Sequence, residues 1–316
     1  MRCLLTLLLF PVLLPADVPA QEIPPVKVIL ETPATENGRN AWMTPRFRID
    51  ADTSIGVETV RKLAILGEST AAVLSAYPLP LSAPPEKSKL RISLYADALA
   101  YENAGAAKGS AGYYSGKGDP RVMIRADYFL SAVVVERSRL TPDMDEDLAV
   151  HELVHLCMHR KFTGLPQWFA EGIAEYFSCA HRGGGRFSFS RMDDAVRDHL
   201  RVKLSPRNPA IRLLPVASIS ALDDKEWLEL MKSLPAEERF LAYGTALLLT
   251  HYHLHGGPER LDRVRVMLEK ADRQRKPEPF LGQDGGPVIE AALIRFWQTK
   301  GLTLRFANAS PRAITR

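Results

Sequence analysis

Two stretches of this chain, 143–160 and 166–179, are apolar around most of the helical circumference, and only a short turn at Thr163-Gly164 separates them. Helices of that kind are stable only when they pack against each other and are covered by other elements. In the first, Leu148, Val150, Leu153, Val154, Leu156 and Met158 mark a buried helix. Asp143 and Glu146 form a capping pair behind Pro142, and Asp145, Glu146 and Asp147 suit the positive end of its dipole. In the second, Pro166 suits a first turn, Trp168 and Phe169 fill the core, and Gly172 permits a close helix approach.

Polar side chains on buried helices need partners, because desolvation without compensation is costly. The run His151-Glu152-Leu153-Val154-His155 places two imidazoles at i and i+4 on one face, where both reach one ion. Glu171 follows His155 by sixteen residues, on the helix that packs back, and can supply a third ligand. Zn²⁺ takes neutral imidazole and carboxylate well, and a catalytic site keeps three protein ligands and a water. Glu152, beside His151, reaches that water as a general base. Glu175 lies one turn beyond Glu171, on the same face. It either accepts the second imidazole N–H of His151 or is a surface carboxylate or a salt-bridge partner.

Residues 148–177 resemble the metal site of the gluzincin metallopeptidases (the peptidase MA clan). They are most similar to aminopeptidase N-like enzymes and to exported bacterial members of the clan. The resemblance implies His151, His155 and Glu171 as zinc ligands and Glu152 as base, in an enzyme that hydrolyses peptide bonds. It also implies a downstream phenol or imidazole that stabilises the oxyanion. Tyr243, at the start of a long apolar helix, is the candidate, the competing reading being a core tyrosine. Gluzincins bind extended peptides along an edge strand, which points to Gly112, Tyr113 and Tyr114. The chain lacks the Gly-Ala-Met-Glu-Asn segment of the aminopeptidases, so recognition of a free amine is not implied.

The remaining histidines fit this picture less well. His251, His253 and His255 alternate between faces near a helix end and form a poor metal set; contact with the helix C-terminus is the expected role. His159 and His181 read as surface residues.

Around the two helices, alternation predicts strands at 46–51 and 90–95, a short strand at 26–30, and a β-hairpin from 111–115 and 121–125. Apolar periodicity predicts helices at 57–77, 192–201, 236–255, 258–272 and 287–299, and residues 96–104 form a short helix. The expected fold class is α+β: a mixed αβ half with a small sheet and hairpin, then a mainly helical half with the zinc-binding helices. Residues 1–20 read as a signal peptide, with Arg2, an apolar run from Leu4 to Leu14, and a cut between Ala20 and Gln21. Residues 21–45 read as a leader, 46–300 as the catalytic domain (46–135 and 140–300 as its two parts), and 301–316 as a tail.

Export to the periplasm or the extracellular space follows from that reading, with no stable membrane insertion once the signal is cleaved. Cys157 and Cys179 would remain, and they read as buried thiols rather than a disulfide. The net charge of +4 is spread along the chain and marks no nucleic-acid surface. The expected partner is a peptide or protein substrate. Two alternatives stay open: a silent binding or scaffold module, and a zinc amidase acting on a cell-envelope substrate.

Overall fold

The computed structural model describes residues 22–129 (other than 32, 37, 87–88 and 117), 144–204, 210–272 and 285–307. The signal peptide read at 1–20, Pro142, and the Asp143 member of the capping pair lie outside them. The fold is α+β, with a small sheet in the N-terminal half and helices in the C-terminal half.

The sheet is built where side chains alternate. In β3 (Phe47–Asp52) and β4 (Leu90–Tyr95), Phe47, Ile49 and Ala51, and Leu90, Ile92 and Leu94, face the core. The two strands run parallel, and helix α1 (Val57–Ala76) makes the crossover between them. Short helix α2 (Ala98–Asn103) precedes the hairpin of β5 (Gly112–Ser115) and β6 (Arg121–Arg125). β6 joins β4 in parallel, and β5 pairs antiparallel on its far side, forming an edge of the sheet.

The stretch read as a leader contributes more than a lead-in. β1 (Ala34–Glu36) and β2 (Arg39–Met43) form a hairpin that extends the sheet beyond β3. The strand expected at 26–30 does not form, because no ladder accepts it. Instead the Val26 N–H donates to the Ser69 hydroxyl at 2.9 Å, and Ile23 pairs with Phe187 in an isolated bridge.

The helical half begins with α3 (Met144–Cys157), which packs on α1, β5 and β6. A 3₁₀ segment (His159–Gly164) turns the chain into α4 (Gln167–Ala180), which is buried along its whole length. There follow α5 (Met192–Leu204), β7 (Ala210–Leu213), α6 (Val216–Ile219), α7 (Asp224–Ser233), α8 (Phe240–His255), α9 (Pro258–Ala271), α10 (Gly286–Thr299) and β8 (Thr303–Phe306). β8, in the stretch read as a tail, pairs parallel with β7. Cys157 and Cys179 are both free and buried. No helix among the described residues is long and apolar enough to cross a membrane.

α4 lies between α3 and α8, and Gly172 sets the second contact. A Cβ there would overlap the Ala246 carbonyl and the Thr250 hydroxyl of α8. Gly172→Ala must therefore push two buried helices apart, an overpacking cost of about 1–3 kcal/mol. Urea unfolding should show that loss; an unchanged midpoint would mean that α8 yields without strain.

Of the alternating histidines of α8, His251 and His253 are buried and His255 is exposed. His251 bonds Asp193 of α5 at 2.9 Å, an acid not evident from sequence, and its ring stacks on His255 at 4.4 Å; among the described residues these side chains form no metal-holding group. His253 is 2% exposed. Burial, with Arg263 and Arg260 nearby, lowers its pKa to about 3. A histidine depressed in the folded state stabilises above its unfolded pKa near 6.5 and loses that contribution as pH falls toward 3. We expect the wild type to lose about 1.4 kcal/mol per pH unit more than His253→Leu across that window. Parallel slopes in denaturant titrations of the two proteins would rule this out.

Candidate metal centre

α3 and α4 bring the three expected ligands together. His151 Nε2 lies 3.0 Å from His155 Nε2 and 3.2 Å from Glu171 Oε2, and His155 Nε2 lies 3.4 Å from the same oxygen. All three residues are buried. Helical spacing stacks the two imidazoles on one face, and the reversal at 159–164 returns α4 so that Glu171 faces them. A tetrahedral zinc site with bonds of about 2.0–2.1 Å has edges of about 3.3–3.4 Å. The observed triangle is close to one face of such a tetrahedron, and two imidazole nitrogens and a carboxylate oxygen are donors that zinc accepts. The residues fit the ion. Among the described residues this is the one group of three or more His, Cys, Asp or Glu side chains whose atoms meet closely enough for a metal.

Burial pushes the Glu171 carboxyl up, but His155 and His151 outweigh it and bring it down to about 2. Its other oxygen is held by Gln167, whose amide donates to Oε1 at 2.8 Å. Gln167 sits one turn earlier on α4, and no motif singled it out.

Glu152 is half-buried beneath β5. A Cβ on Gly112 would approach its Cγ to 3.1 Å and Leu148 Cγ to 3.2 Å, so a glycine lets the strand close on α3. Burial raises the Glu152 carboxyl; His151 and His155 partly offset this, Glu171 adds to it, and the Tyr114 N–H favours the charged form. A carboxyl raised in this way suits a group that takes and returns a proton.

Glu175 is not a surface carboxylate. Its Oε1 lies 3.0 Å from His151 Nδ1, and its Oε2 lies 2.9 Å from Nε2 of His199 on α5. Burial raises this carboxyl, but His151 and His199 more than offset that and hold it far below the usual range. His199 belongs to no recognisable pattern in the sequence.

Neither protein-family models nor the curated proteins contain a match to the chain.

Tyr243, in the first turn of α8, places its ring 5.9 Å from that of His151. Burial raises its phenol well above the ordinary value, and Glu171 and Glu152 raise it further, so it stays protonated. Trp227 and Phe240 flank the ring at 5.6 and 6.1 Å.

On β5, the Arg125 N–H donates to the Ala111 carbonyl. By alternation along the ladder, Gly112 and Tyr114 turn their main-chain groups away from β6. The Tyr113 side chain is exposed, whereas Tyr114 leans over the centre, its ring 5.8 Å from His155 and 5.4 Å from Phe162. The Tyr114 hydroxyl meets His159 Nδ1 at 2.5 Å, which gives the half-buried His159 a partner. His181, read as a surface residue, is buried: its Nδ1 lies 3.0 Å from Asp147 Oδ1, and its Nε2 accepts the Gly185 N–H. That loop also reaches Glu146, which accepts the Gly184 N–H at 2.7 Å and pairs with Lys62.

Proposed function

We propose that this chain is an exported, zinc-dependent metallohydrolase of the gluzincin type that hydrolyses peptide bonds. The observation that carries the proposal is the buried triangle of His151, His155 and Glu171, with Glu152 beside it. A bound zinc would polarise a carbonyl and lower the pKa of a water toward neutrality.

The chain's own residues supply the rest. Glu152 takes a proton from the attacking water, the oxygen of that water bonds to the carbonyl carbon, and the carbon–nitrogen bond breaks as Glu152 gives the proton to the leaving nitrogen. The neutral Tyr243 phenol donates to the oxygen on which negative charge develops. Gly112 and the carbonyl of Tyr114 offer main-chain groups to an extended substrate, and Tyr113 borders the same strand.

The test is metal analysis of the purified protein, coupled to digestion of peptide, ester and muropeptide substrates with and without chelator. Zinc at one equivalent and cleavage that chelator abolishes support the proposal. Zinc without cleavage of any peptide, ester or muropeptide makes the chain a binding module. Cleavage confined to muropeptide amides makes it a cell-envelope amidase.

A further inference from the structure

Glu175 meets residues from two different helices, α3 and α5: its Oε2 is hydrogen-bonded to His199 Nε2 at 2.9 Å, and its Oε1 lies 3.0 Å from His151 Nδ1, a buried nitrogen with no other hydrogen-bond partner. His199 is nearly enclosed, and its ring packs on Phe240 at 5.6 Å, the same ring that stacks against Tyr243. An imidazole that binds an ion through Nε2 must carry its hydrogen on Nδ1. His151 meets that condition only if something beside Nδ1 accepts the hydrogen, and Glu175 Oε1 is the group there. A carboxylate with one donor can swing about its own side-chain torsions; a carboxylate with two donors on different helices has one orientation.

Resting on the reading of His151, His155 and Glu171 as a metal centre, we infer that His199 is a positioning residue of that centre: its Nε2–H fixes the second oxygen of Glu175, so that the first accepts from His151 Nδ1 and the Nε2 lone pair of His151 faces the ion. The sequence from outside to inside is His199, Glu175, His151, ion. Each link is a contact between groups of low exposure, so water does not readily substitute for any of them. The rival account is that His199 and Glu175 only tie α5 to α4, in which case their loss costs stability and leaves metal affinity alone.

Three substitutions separate these accounts. In His199→Gln the side-chain amide nitrogen falls near the place of Nε2 and keeps the donor. In His199→Asn it falls near the place of Nδ1 and does not reach Glu175. His199→Phe keeps a ring without a donor. Zinc affinity is read on the full metal-free chain by competition with a chromophoric chelator, beside a thermal melt of the metal-free protein. Expected is a loss of about 10–100-fold in zinc affinity for His199→Asn and His199→Phe, as outer partners of ligating histidines generally give. His199→Gln should recover most of it. In a Glu175→Gln background, His199→Asn should add little, because the chain is already broken.

Zinc affinity unchanged in His199→Asn, or losses that simply multiply in the double variant, overturns the inference while the metal centre stands. A wild type that takes up no zinc overturns the metal centre itself, and the inference with it. If His199→Phe does not fold, the Asn and Gln pair decides alone.

Discussion

Glu152→Gln is expected to bind zinc as the wild type does and to hydrolyse peptide at least about 10²-fold more slowly, the lower end of what a positioned acid–base group contributes. The substitution is nearly isosteric, so the packing beneath Gly112, where the Glu152 side chain lies against β5, is kept. Glu152 is not one of the three converging donors, so the metal triangle is also untouched. What disappears is the capacity to take a proton and return it. The environment acts on this group directly: burial raises its carboxyl, and His151 and His155 only partly oppose that. An amide cannot titrate at all. Metal content and kcat/KM measured on the same preparation check the expectation, and a variant that turns over at the wild-type rate removes Glu152 from the mechanism.

The second large effect is at Glu171. Glu171→Ala should weaken zinc binding by more than about 10²-fold, because loss of even an outer partner of a ligand costs 10–100-fold. Its Oε2 stands 3.2 and 3.4 Å from the two imidazole nitrogens, and no other described carboxylate completes the group. Gln167 would be left with its amide pointing at nothing, since its bond at 2.8 Å is to Glu171 Oε1. Ligand linkage gives a second readout: zinc should raise the melting temperature of the wild type and not that of the variant. Equal zinc-dependent shifts in the two proteins would place the ion elsewhere.

Much of the centre was legible because short-range geometry dictates it. The i, i+4 spacing of His151 and His155 puts both rings on one side of any helix, and a short reversal returns the next helix to them. Strands β3 and β4 announced themselves by alternation, and α1 by apolar spacing. Other features depend on partners that lie far away in sequence. β1 and β2 are short, contain Arg39 and Asn40, and pair at the sheet's margin, so no run of alternating apolar residues marked them. His199 gains its meaning only from where α5 crosses α4, and Gln167 only from the direction in which Glu171 turns. His181 looked like a surface residue because the loop that covers it, through Gly184 and Gly185, is rich in glycine, a composition that says turn and nothing about what the turn encloses. His251 was assigned to a helix end because Asp193, its partner, lies fifty-eight residues away.

An open strand margin is also a hazard, because any neighbouring chain with free amides can add to it and seed a growing aggregate. β5 is such a margin, yet it spans only Gly112–Ser115, too few rungs for a durable ladder with a stranger. One flank of it is shut by α3, and Tyr114 is moored to His159. The protein therefore keeps a receptive border that is brief and half-roofed, open to a guest that the neighbouring side chains can grip and inhospitable to its own kind.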